Sequence, residues 1–400
     1  MVAIVTGSGL GVQAGSGLVL GGLGQLGQAQ LGRGRDQAYV NAANGNLVIG
    51  AQDQWLVGQG PDAAVYRSYN SLGTGVGPDW RTGDTRRITG LTGTVNTAGS
   101  TVKRVDWDGT ETLYRYVAAR QRYETTDGAG AYDSLVFAAA TQTWTWTQGS
   151  GRQSEVYDHA QAGRIISGQD TDGNVRSYVY NTKGLLAEVR TQGGEKTLLV
   201  YDATDRLSQL KTVAKGADGI TDVTTLQVTY TYFAAGDTRL SRARVSVGPG
   251  TQVYDTTYTY VGTSSLVETI TTTGGGKVSF TYDASNRVKT IVQWDGTASR
   301  TTTLTYAAGK TSIVDALGLT TNLYYDAKGQ LTRIESPAVG GTTISRHFAY
   351  DPDGNVSSVT DGAGNVTTYQ YDGQGNVIRQ QDAAGNVVVR TYSSTNDLIS

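Results

Sequence analysis

A chain of 400 residues with 54 Gly, 24 Tyr, 38% apolar residues, no Cys and a net charge of −2 is built from turn and strand formers rather than helix formers. The missing Cys excludes a disulfide framework and thiolate metal sites, and the near-neutral charge gives no electrostatic reason to expect a nucleic-acid partner. No apolar run approaches the roughly 18 residues of a membrane-spanning helix, and the opening MVAIVTGSGLGVQ has no basic stretch ahead of its apolar residues, unlike a conventional secretory signal.

Residues 1–40 are rich in Gly, with Leu and Gln, and show neither strand nor helix period. They read as a leader, flexible or packed on, that serves as a plug or linker. Residues 41–150 read as a β-rich module. Asn44-Gly45-Asn46 turns into Leu47-Val48-Ile49, Trp55-Leu56-Val57 follows, and the strand Ala63–Ser71 ends in turn formers. Trp144-Thr145-Trp146 alternates as a strand with one aromatic face.

From residue 151 to 400 a repeat takes over. YDPDGNVSSVTDGAGNVTTYQY and YDGQGNVIRQQDAAGNVVVRTY align without a gap, Tyr350 over Tyr371. The leading Tyr can be followed through Tyr157, Tyr180, Tyr201, Tyr232, Tyr260, Tyr282, Tyr306, Tyr325, Tyr350, Tyr371 and Tyr392. Each unit reads as two short strands and two turns. An Asp opens each turn, where its carboxylate can accept the N–H two residues on, and a Gly three positions later supplies φ > 0. If neighbouring strands follow chain order, the tyrosines of successive units can form a ladder along the sheet. Asn355–Thr360 alternates poorly, with neither face purely apolar, which suits a wall with water or cargo behind it. The expected fold class is all-β: hairpins joined into a long curved or spiralling sheet, a partial hollow shell.

The stretches GNLVIGAQDQWLVGQGPDAAVYRSYNSLG (45–73), GPDWR (77–81), WDGTETLYRY (107–116) and WTWTQGSGRQSEVYDHAQAGRI (144–165), followed by the YD units, resemble the RHS/YD-repeat family over about residues 40–400. The resemblance implies a sheet strip that spirals into a shell, often enclosing the C-terminal toxin domain of a polymorphic toxin used in competition between bacteria. Related shells occur in insecticidal toxin complexes and in surface adhesion proteins. Complete shells often end in a DPxGL self-cleavage motif. Asp351-Pro352-Asp353-Gly354-Asn355 departs from it at the fifth position and is followed by more repeats, so it reads as an ordinary YD turn. The last unit, from Tyr392 to Leu398-Ile399-Ser400, is incomplete, which reads as the leading fragment of a longer protein or a truncated product.

The resemblance therefore implies a non-catalytic shell segment, secreted or at the cell surface, that encapsulates or presents a toxin domain beyond Ser400 and engages a delivery apparatus. The alternative is an adhesin or carbohydrate-binding protein that uses Tyr and Trp faces for a glycan. No catalytic residue, cofactor or metal ligand is expected. Gly22-Leu23-Gly24-Gln25-Leu26-Gly27 after Val-Ala-Ile-Val-Thr-Gly fits a dinucleotide fingerprint only in letters, because Gly continues where a helix must begin. Tyr324–Lys328 spells Tyr-x-x-x-Lys, but inside a YD turn. Asp170-Thr171-Asp172-Gly173-Asn174 lacks the Gly and Glu placement of a calcium loop. His159 and His347 stand beside YD turns without a nucleophile elbow. Trp144 and Trp146 read as packing residues, and Asp106 and Asp108 as carboxylates sharing one face of a strand.

Overall fold

The computed structural model describes residues 2–7, 9–12, 30–31, 36–54, 60–73, 79–82, 85–125, 132–149, 151–218, 221–247, 252–294, 296–337, 340, 342–393 and 397–400. Among these the fold is all-β. Helix is limited to two single 3₁₀ turns, Ala118–Arg120 and His159–Gln161. None of the described helices is long and apolar enough to cross a membrane.

Two sheets divide the chain. The first has six strands: Val2–Val5, Gln30–Leu31, Asp36–Asn41, Leu47–Gln54, Val65–Asn70 and Asp79–Thr82. Val2–Val5 belongs to the stretch read as a leader, yet it is a buried strand paired parallel with Asp36–Asn41. Its four consecutive apolar residues suit a strand covered on both faces, a pattern that two-residue alternation does not reveal. The expected strand Trp55-Leu56-Val57 begins where description stops, at Gln54.

The second sheet is a ribbon of 27 strands from Arg87–Thr92 to Val387–Val389, each antiparallel to its successor in the chain. The reason lies in the turns. At Asp202, Asp283, Asp326 and Asp372 one carboxylate oxygen accepts two backbone N–H groups, from the residues two and four positions on. A single side chain thus satisfies donors that the reversing backbone leaves unpaired. The register slips by one residue just before most of the leading tyrosines, as between Thr281 and Tyr282 or Gln370 and Tyr371, though not at Tyr306. These bulges bend the ribbon.

The tyrosines do form a ladder, held through their hydroxyls. Tyr201 donates to the carbonyl of Leu186 at 2.8 Å, Tyr282 to Val267 at 2.6 Å and Tyr371 to Val356 at 2.8 Å. In each case the acceptor is the residue that resumes the sheet after the previous unit's turn. Each of these three therefore ties its own unit to the one before, whereas the Tyr157 hydroxyl goes to Glu155 and that of Tyr325 is buried without a hydrogen-bond partner among the described residues.

The ribbon curls back on itself. Its strand Arg164–Gln169 meets its first strand, Arg87–Thr92, at the pair Arg164↔Arg87, and Ile88 N–H donates to the carbonyl of Gly163 at 2.8 Å. A Cβ at Gly163 would sit 1.8 Å from the carbonyl oxygen of Ile88, and its φ is +67°. Only glycine allows the two backbones to meet there. Further along, Asn355 Nδ2 donates to the hydroxyl of Tyr132 at 3.1 Å, so a later turn rests on an earlier part of the coil.

The first sheet packs against one face of the ribbon, and the main core lies between them. Tyr69, Leu47, Ile49 and Val65 from the sheet are fully buried, with Trp144, Leu210, Val228, Val267 and Leu323 from the ribbon. Each such side chain contributes about 1.5–3 kcal/mol of transfer free energy. Burial fades toward the C-terminal end. Val356–Thr360 and Val377–Gln381 are half-buried throughout, and Val366–Tyr371 alternates between exposed and half-buried. The weak alternation at 355–360 in the sequence has this cause.

Candidate functional site

The groups of greatest chemical interest lie where the inner sheet is seated on the ribbon. Arg67, on Val65–Asn70, is 1% exposed and faces two buried aspartates, Asp53 on the adjacent strand and Asp36 on the strand beyond it. Its Nε and Nη2 donate to Asp53 at 2.8 and 3.0 Å, and Nη2 also reaches Asp36 at 3.0 Å. The remaining partners come from the ribbon. Arg67 Nη1 donates to the Tyr258 hydroxyl at 2.6 Å, Tyr258 donates onward to Asp36, and Thr256 gives Asp36 a second donor at 2.6 Å. The Tyr230 hydroxyl donates to Asp53 at 2.6 Å. Burial works against the Arg67 cation, but the two aspartates beside it outweigh that and hold its pKa well above the usual value. Burial also pushes Tyr258 and Tyr230 well up, which keeps both hydroxyls protonated as donors.

A second buried cluster stands near the ribbon's closure. Glu155 accepts from Arg86, from Tyr157 and from Arg104 Nη2 at 2.7 Å. Burial pushes its carboxyl up, yet Arg104 and Arg86 overcome this and hold it down at about 2. Arg104 also stacks on Trp146, 4.0 Å from the ring centre, and pairs with Asp106 at 2.8 Å. Trp146 Nε1 donates to the Tyr114 hydroxyl at 3.0 Å.

Both clusters hold charge in fixed, internally satisfied pairs. A carboxylate held near 2 between two guanidiniums does not shuttle protons near neutrality. The chemistry this arrangement supports is positioning: the first cluster fixes the inner sheet on the ribbon and the second ties the start of the ribbon to its strand Ser154–Asp158, because a buried ion pair is costly to separate.

The residues weighed in the sequence are scattered. Asp106 and Asp108 lie in the turn after Thr101–Val105, not along one strand face. The chain reverses there because Asp106 N–H pairs with the carbonyl of Thr110. Asp106 pairs with Arg104, whereas Asp108 is buried and accepts N–H groups from Val12 and Thr110 at 2.6 and 2.9 Å. Asp108 is thus a pin for the N-terminal segment; burial first, then Asp106, raises its pKa. His159 accepts from Trp144 Nε1 at 3.2 Å, and His347 sits on the strand Ser345–Tyr350. Trp144 and Trp146 are buried at 0% and 8% exposure. Lys328 lies in the turn opened by Asp326, and Asp170 and Asp351 open turns of the same kind. The motif Gly22–Gly27 lies outside the described residues. Among the described residues no group of three or more His, Cys, Asp or Glu is placed to hold a metal.

Sequence reasoning missed Arg67, Asp36 and Asp53. Their one signal is position: a cation in the middle of VYRSYN, and acids at the ends of DQAYVN and LVIGAQDQ, strands otherwise suited to burial.

Comparison with known proteins agrees with the repeat. The family model of the RHS repeat matches residues 350–387. No curated protein matches the chain. Among solved structures, the chain is similar to the TcdB2-TccC3-TEV crystal structure, at 14% identity and a TM-score of 0.43, over 88% of this chain and 22% of that one. It is also similar to the Photorhabdus luminescens Tc holotoxin pore, at 15% identity and a TM-score of 0.40, again over 88% and 22%. The chain thus spans 22% of the length of each.

Proposed function

This chain is an RHS-repeat protein, and on that premise we propose that it is a non-catalytic wall segment that encloses or presents an effector domain lying beyond Ser400 in a longer product. The observation that carries the reading is the ribbon itself. Among the described residues twenty-seven strands pair in chain order, so every interior strand has both edges paired and offers no template for foreign strands. The two buried clusters support a structural rather than catalytic role, because their charges are consumed in holding strands together. In this reading the wall acts outside the cytosol, secreted or at the cell surface, and shields its cargo from proteases or keeps it inactive until delivery.

The test is protease protection in the full-length product. A non-specific protease is added to the intact protein, and the fate of the domain beyond Ser400 is followed by mass spectrometry. Survival of that domain in the native protein, with rapid cleavage once the wall is unfolded by denaturant, is the expected result. Equal cleavage in both states overturns the proposal, as does measurable turnover by the wall segment alone.

A further inference from the structure

We propose that the cavity beside the ribbon's closure is a binding site for a small organic anion: a carboxylate or phosphate ester carried on an apolar or aromatic body. The cavity holds about 660 Å³, within the roughly 300–1,000 Å³ typical of small-molecule sites. It lies where the first strand of the ribbon meets Arg164–Gln169, with Trp80 standing between it and Arg67.

The charge there is one-sided. Arg164 and Arg87 are paired directly across the closure, and like charges in that position repel. Among the described residues neither has a carboxylate partner. Among the described residues, the one hydrogen bond from the Arg87 side chain is Nε to the carbonyl of Thr85 at 3.3 Å. Arg164 lies over the ring of Tyr180, its Cζ 4.0 Å from the ring centre. Its Nε is buried without a hydrogen-bond partner, and so is the Thr85 hydroxyl on the same wall. Both atoms are closed to solvent, so a ligand oxygen would be taken up by the other N–H groups of Arg164 and by Arg87, which have no carboxylate partner among the described residues.

The other lining completes the chemistry. Arg206 adds positive charge while it remains paired with Asp202. The one acid among the described lining residues, Asp205, is engaged by Lys183 at 2.6 Å. Leu186, Leu207, Trp80 and Tyr232 supply apolar and aromatic surface. A planar guanidinium already stacked on a ring presents its fork to an oxyanion in fixed geometry, and the surrounding rings accept the body that carries it.

Isothermal titration of the full chain with benzoate, phenyl phosphate and benzyl alcohol tests the site. The expected result is that at least one anion binds about tenfold or more tightly than the neutral alcohol, and that added salt weakens it. The stronger of the two anions tells carboxylate from phosphate. Arg164→Gln should weaken the anion about tenfold while leaving benzyl alcohol unchanged. Arg87→Gln provides an independent variant should Arg164→Gln fold poorly. Equal binding of anion and alcohol, absence of binding by both anions, or undiminished affinity in whichever variants fold as judged by circular dichroism would overturn the proposal.

Discussion

Replacing Arg67 by Met keeps the unbranched stem, removes the guanidinium and leaves Asp36 and Asp53 buried, at 0% and 1% exposure, without their cation. Each contact near 3 Å carries a gross attraction of about 5 kcal/mol at an effective dielectric of about 20. The desolvation of Arg67 itself offsets part of this, and Thr256, Tyr258 and Tyr230 still donate to the two carboxylates. The net loss should be about 3–5 kcal/mol, the usual cost of breaking one side of a buried pair. Urea unfolding at neutral pH, followed by circular dichroism, measures it. The triple variant Arg67→Met, Asp36→Asn, Asp53→Asn, which removes the stranded charges, should recover more than half of the loss. A cost below about 1 kcal/mol, in the range of exposed pairs, or a triple variant no better than the single one, would refute the reasoning.

Other consequences of the structure are equally open to measurement. Tyr282→Phe strands the carbonyl of Val267 and should cost about 1–3 kcal/mol in unfolding free energy. Gly364 and Gly375 occupy the same turn position at φ +87° and +89°, but a Cβ at Gly364 meets nothing within 4 Å, whereas one at Gly375 lies 2.3 Å from the Tyr132 ring. Gly364→Ala should therefore cost about 1–2 kcal/mol from the backbone alone, and Gly375→Ala visibly more; equal losses would deny the contact between successive turns of the coil. Burial pushes the Asp133 carboxyl up from 3.8 to about 6, against a hydrogen bond from Gly149 N–H that lowers it. The native state therefore holds this proton more tightly than the unfolded chain, and stability falls as pH rises from about 4 through about 6, by at most about 3 kcal/mol. Asp133→Asn should flatten that part of the stability–pH curve, which thermal melts across the range would reveal.

Much of this architecture could be read from the residues. The Asp and Gly of each turn declare local hydrogen bonds and positive φ, so Asp283 or Asp372 announces a reversal without any tertiary information. The leading tyrosines marked the ladder because the repeat brings them to equivalent places. What the ladder does was hidden: the hydroxyl of Tyr282 finds the carbonyl of Val267, and the pairing register that brings them together has no letter in the sequence. The same holds for the inner sheet. Arg67 and Tyr258 are far apart in the chain, and nothing local to either says that they meet. Val2–Val5 was obscured by the Gly around it, since a doubly covered strand carries no alternation. Asp106 and Asp108 misled for the opposite reason, as their spacing mimics one strand face although the chain is already turning.

The claim on which the rest depends is that the N-terminal sheet and the ribbon form one seated structure. Native-state hydrogen exchange, read peptide by peptide, tests it most directly. The amides of Asp36–Asn41, Leu47–Gln54 and Val65–Asn70 should exchange as slowly as those of Leu207–Lys215 and Val267–Thr272 in the ribbon, and should speed up together in Arg67→Met. Fast exchange of the N-terminal strands beside a protected ribbon would show two independent units and contradict the account.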